Sequence, residues 1–226
     1  MPPSVEFISV TKTFASGRTG RNIYTRLFKP PPAAAKRTIF QDLDLRIDGG
    51  EAVALVGPNG SGKTTLLKLI AGLAFLDRGS IRIGGQAHDE FDRGRVGLIL
   101  GADMIYSGLT GYQNLEYSAH LYRCDDPSEL IHRAIEQWGI QDYVDSPVGS
   151  YSAGMRARLA LARGTLHSPS LVLLDEPTVF LDSDGATRLR RYLGESGKTV
   201  IVTTHQPDAL VVDRFIEMNQ LQSGHA

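Results

Sequence analysis

Lys63 and Thr64 close the stretch Gly57-Pro58-Asn59-Gly60-Ser61-Gly62-Lys63-Thr64, which fits the spacing G-x-x-x-x-G-K-S/T. That spacing suits the polyphosphate of a nucleotide. Glycines at this density carry no Cβ, so the backbone can wrap closely around an anion. Their N–H groups and a following helix N-terminus then face the phosphates. Lys63 supplies a point charge to the β- and γ-phosphates, and the Thr64 hydroxyl can hold Mg²⁺. Pro58, Asn59, Ser61 and Thr65 complete the loop as candidate nucleotide contacts. The motif requires a buried strand before it and a helix after it. Ala52-Val53-Ala54-Leu55-Val56 and Leu66-Leu67-Lys68-Leu69-Ile70 meet both conditions.

Further polar residues stand at the ends of apolar runs. Leu171-Val172-Leu173-Leu174-Asp175-Glu176-Pro177 puts two carboxylates at the end of a buried strand. Asp175 is expected to organise Mg²⁺, and Glu176 to accept a proton from an attacking water. Tyr151-Ser152-Ala153-Gly154-Met155-Arg156 precedes an Ala/Leu/Arg-rich run. There Ser152 and the Gly154 N–H make a second anion site at a helix start. Phe180-Leu181-Asp182 and Thr203-Thr204-His205 add Asp182 and His205 at loop positions after apolar segments.

The elements that must position these residues alternate between strand and helix. Val5-Glu6-Phe7-Ile8-Ser9-Val10 and Ile39-Phe40-Gln41-Asp42-Leu43-Asp44-Leu45-Arg46-Ile47 alternate as half-buried strands. Short strands are expected at 79–85, 96–100, 171–174 and 199–203. Helices are expected to begin near Thr110 and Asp126, and a third to run through 155–162. The start at Asp126 is well marked, with Pro127 at the first helical position, Glu129 at the third and Gly139 past the end. Apolar strands alternating with helices imply a largely parallel sheet covered on both faces, an α/β architecture.

Composition bounds the reading. At 226 residues, with 42% hydrophobic and 22% charged residues, the chain can build one sizeable core. A net charge of −1 points away from a nucleic-acid partner or direct electrostatic membrane binding. Cys124 is the only cysteine, which excludes an internal disulfide and suits a reducing compartment. Met1-Pro2-Pro3-Ser4-Val5-Glu6 lacks the basic and apolar regions of a signal peptide. No apolar run approaches the roughly 18 residues of a membrane span, so any membrane function is expected to come through a partner.

The order of these stations (the phosphate loop, Y-S-A-G-M, L-L-D-E-P, L-D and T-T-H-Q) resembles the ATP-binding subunit of ABC transporters over nearly the whole chain. The resemblance implies a P-loop NTPase fold with a RecA-like core, an antiparallel β portion and an α-helical subdomain. The core with its β portion would take 1–95 and 165–226, and the helical subdomain about 102–164. Residues 151–155 match the family's signature, Val179-Phe180-Leu181-Asp182 its D-loop and His205 its switch histidine. Phe14 falls where the family places an aromatic that stacks on adenine. Two such subunits bind two ATP between them, so Ser152 and Gly154 would act on the partner's nucleotide. The resemblance therefore implies ATP and Mg²⁺ as ligands, a homodimer, and an integral membrane permease. The chain would sit peripherally on the cytoplasmic face of the cell membrane.

Two departures stand out. The family usually carries a glutamine after the strand at 96–100, touching Mg²⁺ and the membrane partner. Here Gly101-Ala102-Asp103 occupies that place, and Gln113 lies in an expected helix. The second departure is an inserted segment, 15–37, with Arg18, Arg21, Arg26, Lys29, Lys36 and Arg37 and no acidic residue. It reads either as a solvated loop or as an element facing phosphate or membrane. The insertion and Ser107-Gly108-Leu109-Thr110-Gly111-Tyr112-Gln113-Asn114-Leu115 resemble ATPase subunits that export O-antigen, teichoic acid and capsule. Export of a polysaccharide or lipid-linked glycan is the resulting expectation. The alternatives are a drug or lipid exporter, or a soluble ABC ATPase with a scaffold role.

Overall fold

The computed structural model describes residues 1–16, 35–101 and 105–222. Two sheets organise them. Strands β1 (Val5–Ser16), β2 (Ala35–Ile47), β4 (Arg78–Ile83) and β5 (Gln86–Ala87) form an antiparallel sheet in the order β2-β1-β4-β5. Strands β3 (Ala52–Val56), β6 (Val96–Leu100), β7 (Leu171–Asp175), β8 (Thr199–Thr204) and β9 (Arg214–Glu217) form a parallel sheet in the order β6-β7-β8-β3-β9.

The central strands of the parallel sheet are mostly apolar because both faces are covered. Every residue of β3 and β8 is buried. Their alternating side chains divide between two cores. Val53, Leu55, Leu171, Leu173 and Ile201 pack with helix α1 (Lys63–Ile70) and the inner face of the antiparallel sheet. Ala54, Val56, Val172, Leu174, Val200 and Val202 face the opposite way. They pack with α2 (Gly111–Leu121), α3 (Pro127–Trp138), α4 (Ala153–Thr165) and α5 (Ser183–Glu195). The chain closes with the short helix α6 (Met218–Gln222).

Local chemistry sets the helix ends, and at α3 it does so with the residues the sequence marked. The Asp126 side chain accepts from the Glu129 N–H, Pro127 opens α3, and Gly139 ends it at φ 63°. Thr110 and Gln113 cap each other at the start of α2. Ser152 caps α4 and Asp182 caps α5. Helix α1 has no side-chain cap; its N-terminus opens under Gly62 at φ 100°. A Cβ there would lie 2.6 Å from Ile39 Cγ2, so both conformation and space require glycine.

Three features differ from the sequence reading. Strand β1 runs on to Ser16 and β2 starts at Ala35, whereas burial alternation marked only 5–10 and 39–47. The outer arm is held by the ladder between the two strands, which pairs Phe14 with Arg37, rather than by a buried face. Lys36 and Arg37 thus lie on β2, while residues 17–34 of the basic segment lie outside the described residues. Helix α5 and edge strand β9 had no expectation. Helix α5 buries only Gly185, Leu189, Tyr192 and Leu193 among charged neighbours, and β9 is four residues long.

Candidate nucleotide site

Strand order brings the site together. Strands β7, β8 and β3 lie side by side, with Asp175 opposite Thr203 and Thr204 opposite Val56. Their carboxyl ends therefore form one edge, the place where open parallel sheets bind ligands. The loop leaving β3 there lines a cleft of about 390 Å³ with residues 59–65, Phe14, Arg37, Ile39, Asp175 and Glu176.

Inside the cleft, Lys63 is 5% exposed. Its ammonium donates to the carbonyls of Gly57 (2.6 Å) and Pro58 (3.3 Å). It also lies 3.2 Å from Glu176 Oε1, a charge contact without hydrogen-bond alignment. The Thr64 hydroxyl donates to Asp175 Oδ2 at 2.7 Å. His205 Nδ1 is 2.8 Å from Glu176 Oε2, and the His205 N–H donates to the same oxygen at 3.2 Å. Glu176 has a left-handed backbone, φ 47°, which turns its side chain from the strand end toward Lys63 and His205. Residues far apart in sequence thus converge on one carboxylate.

The donor set fits a magnesium ion. Among the described residues no three His, Cys, Asp or Glu side chains cluster as a metal cage. Thr64 and Asp175 offer two hard oxygens beside the phosphate loop, which matches an ion that takes its other ligands from phosphate and water.

Phe14 stands at the mouth of the cleft, 43% exposed, with Lys12 Nζ 4.9 Å from its ring centroid. An exposed ring at the mouth of a cleft offers a flat apolar face to a ligand. Its cross-strand neighbour Arg37 donates to the Gly60 carbonyl at 2.8 Å. Arg37 was legible only as one charge of a basic segment. Its place against the phosphate loop depends on the β1/β2 pairing.

Ser152, Gly154 and Asp182 lie elsewhere. They line a separate hollow of about 560 Å³ with Tyr143, Met155, Arg158 and Phe180. Ser152 Oγ accepts from the Met155 N–H at 3.2 Å and so caps α4. Arg158 ties this helix to the next station. It donates to Asp182 Oδ1, and to Asp184 Oδ2 at 2.6 Å. The Arg158 guanidinium first and the Gly185 N–H second hold the Asp182 carboxyl below the usual carboxylate range. Burial lowers the Arg158 pKa, but its two carboxylate partners outweigh this and leave it raised. Burial pushes the Tyr143 phenol up to about 12, so it stays protonated beside these charges. Sequence reading missed Arg158, although a basic residue within a capped helix facing an Asp-rich turn was the available signal.

The profile of the family described as "ABC transporter" matches residues 40–179. This chain belongs to the ABC transporter family. The uncharacterized ABC transporter ATP-binding protein YdbJ of Bacillus subtilis (strain 168) is 37% identical over 176 residues. That match covers 75% of this chain but only 57% of YdbJ, so the chain spans little more than half the length of that relative. The cytochrome c biogenesis ATP-binding export protein CcmA of Vibrio vulnificus (strain YJ016) is 37% identical over 179 residues, 76% of this chain and 86% of CcmA. A solved dimer of the ATP-binding cassette MJ0796, bound to ADP and Pi, superposes with a TM-score of 0.80 at 24% identity. It covers 98% of this chain and 96% of its own, and shows that the two share a fold. The ABC ATPase fold expected from the sequence is therefore present: parallel core sheet, antiparallel β portion and helical portion.

After the strand at 96–100, where the sequence carries Gly101-Ala102-Asp103 in place of a glutamine, Gly101 has φ 68°. It borders a hollow of about 280 Å³ shared with Ile99, Leu161, Asp175, Glu176 and Phe180. Ala102 and Asp103 lie outside the described residues.

Proposed function

We propose that this chain is the ATP-hydrolysing subunit of an ABC exporter, acting as a homodimer beneath a separate membrane-spanning permease. The observation that carries it is the convergence of Lys63, Thr64, Asp175, Glu176 and His205 on one cleft edge. Glu176 takes the proton of the attacking water as general base. His205 holds the Glu176 carboxylate from its far side, and Lys63 neutralises charge on the β/γ-phosphates. Thr64 and Asp175 would hold Mg²⁺, which would offset negative charge on the phosphates. Phe14 stacks on the base. The loop residues Gly57, Pro58, Asn59, Gly60, Ser61, Gly62 and Thr65 surround the phosphates.

The separation of Ser152, Gly154 and Asp182 from the cleft supports their action on the nucleotide of a second copy. No helix among the described residues is long and apolar enough to cross a membrane, which fits a peripheral subunit on the cytoplasmic face. The proposed cargo is a polysaccharide or lipid-linked glycan. Its support is the basic segment 15–37, which suits a pyrophosphate-linked or anionic partner. A different export cargo is the second reading, supported by the identity to CcmA, whose name assigns it to cytochrome c biogenesis.

Mixing Lys63→Ala with Gly154→Asp subunits tests the dimer. One intact site per heterodimer predicts partial recovery of ATP-driven association in sedimentation. Hydrolysis by each chain as a lone monomer, independent of concentration, would refute the arrangement. Deleting residues 17–34 behind a short glycine join tests the cargo. Nucleotide binding should survive and glycan export should be lost. Unchanged glycan export would remove the support that the basic segment gives.

A further inference from the structure

Thr203 links the Asp175 carboxylate to the backbone N–H of Glu176 through one hydroxyl. It lies on β8 opposite Asp175 of β7, and is fully buried. A hydroxyl has one proton and two lone pairs to place. The proton goes to Asp175 Oδ1 at 2.6 Å. A lone pair accepts the Glu176 N–H at 3.0 Å, and the Thr203 carbonyl shares that N–H at 3.2 Å. Valine has nearly the same shape and fits a buried parallel strand at no polar cost. The hydroxyl at this position is therefore explained by what it bonds.

Each bond fixes a different group. With Thr64 on Oδ2 and Thr203 on Oδ1, the Asp175 carboxylate is pinned in one rotation. The bond to the Glu176 N–H holds the left-handed turn at Glu176, φ 47°, a conformation that non-glycine residues rarely keep without support. That turn brings Glu176 to Lys63 and His205. We propose that Thr203 is a positioning residue for hydrolysis, setting the metal-organising and base carboxylates together. The assignment rests on the roles of Asp175 and Glu176 given above.

The test compares Thr203→Val with Thr203→Ser, with Glu176→Gln as a parallel control. Fluorescent ATP-analogue binding is measured in EDTA and across a Mg²⁺ titration, and turnover at saturating Mg²⁺. Loss of an outer partner of a metal ligand typically costs about 10–100-fold in metal affinity or activity. Thr203→Val should keep the affinity in EDTA within about twofold, raise the Mg²⁺ half-saturation about tenfold, and lower kcat about tenfold or more. Thr203→Ser should restore both. If Thr203→Val does not fold, Thr203→Ala against Thr203→Ser makes the same comparison. A hydroxyl-free variant matching wild type in Mg²⁺ dependence and kcat, or a serine variant as impaired as valine, overturns the proposal. Normal turnover in Glu176→Gln would instead overturn the assignment of the base.

Discussion

Asp182→Ala removes two bonds at once, and the structure separates their sizes. Asp182 Oδ1 accepts from the Gly185 N–H at 2.9 Å and caps α5. Loss of such a cap costs about 1 kcal/mol. The same oxygen accepts from Arg158. The Asp182 side chain is 66% exposed, so solvent screens this pair, and its loss costs about 0.5 kcal/mol. Arg158 retains Asp184, so no buried charge is left unpaired. The total is about 1.5 kcal/mol, which for a chain of this size lowers Tm by roughly 3–6 °C. Asp182→Asn keeps a capping oxygen and gives up only the charge, so its loss should be about a third as large. The pH dependence follows from the lowered native pKa of Asp182. Above the ordinary carboxylate pKa its stabilisation is complete. As pH falls through that value toward the lowered one, the unfolded chain takes up the proton first and the advantage disappears. The gap between wild type and Asp182→Asn should therefore close in acid. Urea unfolding at neutral and acid pH measures both effects. An Asn variant as unstable as Ala, or a gap that widens in acid, would refute this reasoning.

Glu176→Gln should retain nucleotide binding, lose about 10²–10⁴-fold in turnover, and accumulate as an ATP-bound dimer on gel filtration; near-normal hydrolysis would contradict its role. Gly97→Ala should cost about 1–3 kcal/mol by urea unfolding, since a Cβ there meets the Gly164 carbonyl at 2.4 Å and Pro169 Cγ at 2.7 Å. His167 stacks on Tyr122 at 3.6 Å, and burial lowers its pKa to about 4 from an ordinary 6.5. The unfolded chain thus binds this proton first as pH falls below 6.5, so roughly 2–3 kcal/mol of stability should be lost by about pH 4 and spared in His167→Gln. Arg37→Ala should weaken ATP-analogue binding several-fold by releasing the Gly60 carbonyl, while leaving the urea midpoint within about 0.5 kcal/mol, because the residue lies on an exposed strand arm.

What the sequence determined by itself is local. The phosphate loop needs glycines within eight residues and a helix start directly after them, so its spacing states its conformation. The cap at Asp126 bonds an N–H three residues on, so it too was readable without the fold. Strands β3, β7 and β8 announced themselves because burial on both faces makes them runs of mostly apolar residues. Tertiary structure decided which of these pieces touch. Strand order set Thr203 beside Asp175, residues 28 apart, and let one hydroxyl reach the Asp175 carboxylate and the Glu176 backbone N–H. The pairing of β1 with β2 put Arg37 against Gly60. Packing of α4 against the turn before α5 joined Arg158 to Asp182. A contact between distant residues depends on register and layer packing, which many sequences with the same local pattern could satisfy differently. The chemistry of the loop was therefore written in the chain, and its arrangement around Glu176 was made by the sheet.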